Sequence, residues 1–325
     1  MTHENKASTA SFIKQLGQDT VETALPLFKI MVPVSIIVKL LDILGVVTHI
    51  GNAISPLMNL VGLPGEMGLV WASAMITNIY GGLIVFITVA EDLVLTTADV
   101  TVLTSMILVA HSLFVEVTIA KKAGVQVWFT LLLRIGGALF FGFLLHQFFY
   151  FTKLLQNPAV TAWQPEAKNA SLLSWMGGQI QNYILIFMVI FLLLFLMNML
   201  KKIGLLDRIN TFLEPGLEFL GMSKDAAPLT IIGLTLGISY GGGLIIKQAR
   251  SSAISEKDAF LSVSLMGLSH SLIEDTILMI TLGGSLIGIL FGRVFFTIAI
   301  MMVLIKLLQS LSKEQFLRYF YAKQN

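Results

Sequence analysis

Seven residues, Ser269-His270-Ser271-Leu272-Ile273-Glu274-Asp275, place a histidine and two carboxylates inside an apolar run. A near copy stands earlier in the chain, Ala110-His111-Ser112-Leu113-Phe114-Val115-Glu116. Imidazole donates and accepts hydrogen bonds and titrates near physiological pH. An ionised carboxylate in a membrane span costs roughly 2.5–3.5 kcal/mol even on lenient insertion scales, so it needs a partner or a task. Such groups suit a hydrogen-bonded polar solute or a proton relay, and equally an interhelical staple. Glu274 follows His270 by four residues and shares its face if the helix is unbroken. Arg134 and Arg293, on the next apolar runs, sit at depths matching Glu116 and Asp275. Glu116–Arg134 and Asp275–Arg293 are therefore expected as symmetric structural ion pairs. Glu274 has no arginine counterpart and faces Val115 in the alignment of the copies, so it is the better functional carboxylate.

The elements that position these groups are themselves duplicated. Registering the two copies on His-Ser-Leu sets them 159 residues apart, and the same offset aligns Gly45 with Gly204, Pro56 with Pro215, Gly62 with Gly221 and Asp99 with Asp258. The register slips by one or two where Gly81-Gly82-Leu83-Ile84 meets Gly242-Gly243-Leu244-Ile245. Each copy is about 125 residues, and paired repeats with polar residues at matching depth are typical of secondary transporters.

Composition sets the class. The 325 residues are 56% apolar and 12% charged, against roughly 25% charge in soluble domains, and mean hydropathy is +0.85. That describes an all-α polytopic membrane protein. There are no cysteines, which removes disulfides, thiolate ligands, iron–sulfur clusters and cysteine nucleophiles. No P-loop, G-x-S-x-G or H-E-x-x-H motif occurs, so neither nucleotide-driven pumping nor a hydrolase is expected, and no catalytic residue is assigned. Two histidines, carboxylates and 15 methionines could supply metal ligands, but methionine is mainly packing material. No metal set and no cofactor beyond a coupling H⁺ or Na⁺ is assigned.

Taken in order, residues 1–22 form a polar segment, 23–151 repeat one, 152–178 an extracytoplasmic loop, 179–309 repeat two and 310–325 a cytoplasmic tail. Spans are predicted near 24–47, 100–120, 125–150, 182–200, 259–281 and 286–308, with interfacial helices near 49–62 and 205–221. The stretches 67–90 and 228–246 each carry glycine clusters at their centre: Asn78-Ile79-Tyr80-Gly81-Gly82 and Ser239-Tyr240-Gly241-Gly242-Gly243. Consecutive glycines disfavour a straight helix by about 1 kcal/mol each, which predicts re-entrant hairpins, and the alternative is a full span with glycine packing faces. Charge separates the two. Outside the spans lie 16 of the 21 lysines and arginines; hairpins put 14 of them on the N-terminal side and leave only Lys153 and Lys168 opposite. Full crossings would split them 10 to 6. The positive-inside bias favours the first, with inverted repeats and both termini in the cytoplasm.

With that layout, the chain resembles the nucleoside-recognition or Gate superfamily. The family includes concentrative nucleoside transporters, the membrane part of ferrous-iron transporter B and the spore maturation proteins A and B. The two glycine-centred motifs just quoted, each followed by a polar-centred helix, carry the resemblance. It implies two Gate units in tandem: three transmembrane helices, a re-entrant hairpin and an interfacial helix in each. The nucleoside transporters' Gly-Gln-Thr-Glu hairpin signature is absent, and so are the GTPase domain and cysteines of the iron transporters.

These readings converge on a secondary transporter of a small polar solute, nucleoside-like or carboxylate-bearing, in a bacterial cytoplasmic membrane. The alternatives are a non-transporting assembly protein of the spore-maturation type and a divalent metal transporter. Substrate contacts are expected from Thr77, Asn78, Gly81, Gly82, His111, Ser239, Tyr240, Gly241, Gly242, His270 and Glu274. The partners expected are the solute and the lipid bilayer, not nucleic acid, and the architecture is compatible with a homo-oligomer.

Overall fold

The computed structural model describes residues 3–90, 93–163, 172–250 and 253–322. Among the described residues the elements are helical, with pairing limited to the isolated bridges Thr96–Pro158 and Val125–Tyr321. The first half runs α1 (His3–Ile43), α2 (Val46–Asn59), α3 (Glu66–Ile76), α4 (Ile79–Val89), α5 (Thr97–Val109), α6 (Leu113–Lys122), α7 (Val127–Leu131), a π-helical turn (Leu132–Gly136) and α8 (Gly137–Thr152). The second half repeats the order: α9 (Leu172–Lys202), α10 (Leu205–Phe219), α11 (Ala226–Leu236), α12 (Ile238–Arg250), α13 (Glu256–Leu268), α14 (Glu274–Thr281), a π-helical turn (Ile287–Gly292) and α15 (Arg293–Ser310). A short α16 (Lys313–Tyr319) closes the chain.

The backbone repeats in detail. Left-handed residues recur at Gly45 and Gly204, Gly62 and Gly221, Ser112 and Ser271, and Gly124 and Gly283, each pair separated by the offset read from the sequence. Gly45 and Gly204 let each long helix turn into its amphipathic successor, a conformation that a side chain disfavours. α5 and α13 start alike. Thr96 accepts from the Asp99 amide while the Asp99 carboxylate accepts from the Thr96 amide, and Ser255 and Asp258 are paired in the same place. A cap of this kind satisfies helix donors and explains two carboxylates near the ends of spans.

Five helices or helix pairs are long and apolar enough to cross a membrane: Lys14–Ile43, Thr97–Lys122, Val127–Thr152, Leu172–Lys202 and Ile287–Ser310. The expected first span therefore merges with the polar N-terminal segment into one long α1. The span expected at 259–281 is divided between α13 and α14, because Ser269–Ile273 leave the helix. α1 and α9 expose large apolar side chains outward, among them Leu25, Ile37, Ile184 and Leu192, which is the surface a lipid environment accommodates.

The glycine stretches form helical hairpins. α3 and α4 lie so close that a Cβ on Gly82 would come within 2.7 Å of Ala74 Cβ. α11 and α12 approach still more closely, with Gly241 against the Gly233 backbone. The turns fall at Thr77–Asn78 and at Gly237, whose φ of +98° is a conformation glycine adopts readily.

Candidate functional site

Two broken helices build the site. α5 stops at Val109 and the chain restarts as α6 after Ser112; α13 stops at Leu268 and restarts as α14. Ser112 and Ser271 both hold φ of +47°, a strained conformation for a residue with a side chain and one that clusters at functional sites. Each break is held by the hairpin of its own half. The Ser112 amide donates to the Ala74 carbonyl at 2.9 Å, and the Leu272 amide to the Leu234 carbonyl at 2.8 Å.

A helix that ends in a dry interior leaves carbonyls without partners. Here buried side chains take them. His111 Nδ1 lies 2.9 Å from the Ile107 carbonyl and His270 Nδ1 2.8 Å from that of Met266. Arg134 Nε donates to the Val109 carbonyl at 3.0 Å and Arg293 Nε to that of Leu268 at 2.9 Å. A cation at a helix C-terminus also suits the helix dipole. Both arginines sit on or beside π-helical turns, local irregularities often found at functional sites.

Because a carbonyl can only accept, both Nδ1 atoms carry hydrogen and both Nε2 atoms turn toward the shared centre. There His111 Nε2 and His270 Nε2 stand 3.2 Å apart. Glu116 Oε1 lies 3.5 Å from the first and 3.7 Å from the second. Glu116 Oε2 is ion-paired to Arg134 Nη1, as the sequence predicts. Asp275 brings a carboxylate oxygen within 4.8 Å of both histidines' ring nitrogens. All six groups are buried: His111, His270, Glu116, Asp275, Arg134 and Arg293.

The expected Asp275–Arg293 pair is a correction. Arg293 Nη2 instead donates to the Leu108 carbonyl at 3.0 Å, across the interface between the two halves. Asp275 Oδ2 and Arg293 Nη1 are left without hydrogen-bond partners. Nε and Nη2 of Arg293 are held by the carbonyls of Leu268 and Leu108, which orients the guanidinium toward the two broken helix ends rather than toward Asp275.

Glu274 does not share a face with His270, because the helix is broken between them. It opens α14 and lines a cavity of about 620 Å³ among α1, α9, α10 and α11. Asp19, Glu22, Lys201, Asp207 and Thr235 line it too. So neighbouring residues face two environments: Glu274 the cavity, Asp275 the sealed histidine cluster. Asp19 and Glu22 were missed because residues 1–22 read as a surface segment; their spacing of three on a helix was the available signal. Tyr80, buried in the first hairpin, lies within electrostatic reach of Glu274 and Asp275.

The remaining hairpin residues have local partners. Asn78 caps α4 by accepting from the Gly81 amide at 3.0 Å, and Thr77 Oγ1 donates to the Ser73 carbonyl at 2.6 Å. Gly82 and Gly241 are helix contacts within their hairpins, and Gly242 packs against Ile119 of α6. The side chains of Ser239 and Tyr240 lie outside the described ones.

Comparison with known proteins bears on this half of the molecule first. Residues 183–286 match the family model described as nucleoside recognition, or Gate. The match contains the α11–α12 hairpin, His270, Glu274 and Asp275. An uncharacterized membrane protein, YvoD, of Bacillus subtilis (strain 168) is 28% identical over 269 residues, covering 81% of this chain and 84% of the relative. No solved structure matches. With its apolar helices and its polar groups gathered at two helix breaks, the chain is an integral membrane protein whose residues 183–286 are similar to the nucleoside-recognition (Gate) family.

Proposed function

We propose that the chain is a secondary transporter of a small polar solute, nucleoside-like or carboxylate-bearing, coupled to H⁺ or Na⁺. In this reading the first half is a second Gate unit, inverted relative to the matched one, and the hairpins are re-entrant. Each hairpin arm in the first half has 11 residues, about 16 Å of helix and so about half of a ~30 Å hydrocarbon core. The observation that carries the proposal is the cavity at Glu274. Its volume, about 620 Å³, falls in the range of small-ligand sites, roughly 300–1,000 Å³. It is lined by the first residue of α14, just after the helix break, and by Ile232 and Thr235 of α11, just before the hairpin turn. No enzymatic role is part of this reading.

The test begins with thermal-shift screening of the purified protein against nucleosides, amino acids, dipeptides and organic acids. A stabilising solute is then followed in proteoliposomes under a pH or Na⁺ gradient. Glu274→Gln is expected to retain binding and lose the dependence of uptake on the proton gradient. Wild-type-like pH dependence in that variant would remove Glu274 from the coupling. A non-transporting assembly role is the second reading, favoured by the dryness of the histidine cluster. It predicts no stabilising solute and no uptake.

A further inference from the structure

We infer that His111, His270 and Glu116 form a binding site for one divalent transition-metal ion at the interface of the two halves, with Asp275 beside it. The site stands apart from the solute cavity and from the question of transport.

The geometry carries it. Three ligand atoms, His111 Nε2, His270 Nε2 and Glu116 Oε1, form a triangle with sides 3.2, 3.5 and 3.7 Å. A point in its plane lies about 2.0 Å from all three, which matches Zn²⁺ distances to histidine nitrogen and carboxylate oxygen of ~2.0–2.2 Å. The imidazole centroids are 5.0 Å apart, close to the spacing of two rings pointing at one ion from directions roughly 100° apart.

The surroundings are those of a built site. Each histidine gives its Nδ1 hydrogen to a backbone carbonyl, which fixes the tautomer and leaves Nε2 to coordinate. Arg134 holds Glu116 by its other oxygen, so Oε1 is aimed at the histidines. Glu116 is 2% exposed and Oε1 has no hydrogen-bond donor. Two Nε2 atoms that face each other at 3.2 Å with no hydrogen between them repel. An ion between them removes that repulsion. The C-terminal ends of α5 and α13, each with partial negative charge, converge on the same place. Glu116 and Asp275 offset the two arginines, and Asp275 Oδ2, without a partner, completes a fourth position directly or through water.

The experiment uses untagged full-length protein in detergent, stripped by chelator and titrated with Co²⁺ and with Zn²⁺. About one ion per chain is expected, with X-ray absorption of the Co²⁺ form showing two imidazole ligands. His111→Gln and His270→Gln should each weaken binding by at least ~10-fold, the lower end of what a lost supporting contact alone produces. His146→Gln, at a histidine that packs near Gly62, should bind as wild type. Stripped wild-type protein that takes up no ion overturns the site. So does uptake unchanged by both substitutions, which would place the ion on surface histidines. If a substituted protein fails to fold, the wild-type absorption spectrum decides, because a bound ion without imidazole scattering also overturns it.

Discussion

Arg134 and Arg293 occupy equivalent positions, yet their guanidinium groups are used differently. Both cap their own half's broken helix through Nε. Beyond that, Arg134 pairs with Glu116 and Arg293 reaches across to the Leu108 carbonyl. Removing one member of a buried ion pair strands the other, typically at about 3–5 kcal/mol. Glu116→Gln is therefore expected to destabilise the detergent-solubilised protein by that amount, measured by denaturant unfolding, and Glu116→Gln with Arg134→Met to recover much of it. Asp275→Asn should cost less than Glu116→Gln, because no direct ion pair is broken. Equal losses would mean that Asp275 and Arg293 support each other as strongly as the contacting pair. The first pair was legible from matched depth on adjacent helices. The second was not, because depth says nothing about carbonyls freed by a break, and Ala110-His111-Ser112 contains no glycine or proline to announce one. Ser112 shows the consequence. Its left-handed backbone costs a non-glycine residue roughly 1–2 kcal/mol, so Ser112→Gly should hold or raise the unfolding midpoint and Ser112→Val should lower it. A lower midpoint for Ser112→Gly would show that the hydroxyl matters more than the strain.

At the scale of elements, the helical hairpins were readable because glycine clusters are visible in sequence. What each glycine does was not readable. Gly241 and Gly243 are two residues apart in one run, but Gly241 touches the Gly233 backbone whereas Gly243 faces open space. Adding a methyl group to a close backbone contact typically costs about 1–3 kcal/mol. An exposed glycine in a helix gains roughly 0.5–1 kcal/mol when replaced by alanine. Gly241→Ala should thus lower the unfolding midpoint and Gly243→Ala should hold or raise it. The opposite order would mean that the arms of α11 and α12 are not packed through Gly233 and Gly241. The same packing explains why hairpin residues first read as solute contacts turn out to be held locally. Asn78 and Thr77 satisfy backbone groups at their own turn, while the cavity is lined by α1, α9, α10 and α11. Sequence placed the polar residues midway along two spans but could not show that both spans break there or which residues face the cavity.

For the whole molecule, the repeated left-handed residues and the repeated arginine and histidine contacts, all at one offset, describe two halves with one internal plan. Whether the halves point in opposite directions across the bilayer follows from crossings counted per half. Three crossings invert the second half and four do not. In the first half the long helices are Lys14–Ile43, Thr97–Lys122 and Val127–Thr152, while α3 and α4 turn back on each other. Three crossings put the loop after α8 opposite the N-terminus. On that count Lys121 and Lys122 at the end of α6 fall on the N-terminal side, the arrangement that the positive-inside bias favours. The cysteine-free chain allows a direct measurement. Lys122→Cys and Val160→Cys place single thiols at exposed positions, one at a helix end and one in the loop. In intact cells a membrane-impermeant maleimide should label Val160→Cys and leave Lys122→Cys unlabelled until the membrane is opened. Labelling of both from the same side would require an even number of crossings between residues 122 and 160. Only one helix, α7 with its π turn and α8, lies between them, so that result would end the inverted arrangement.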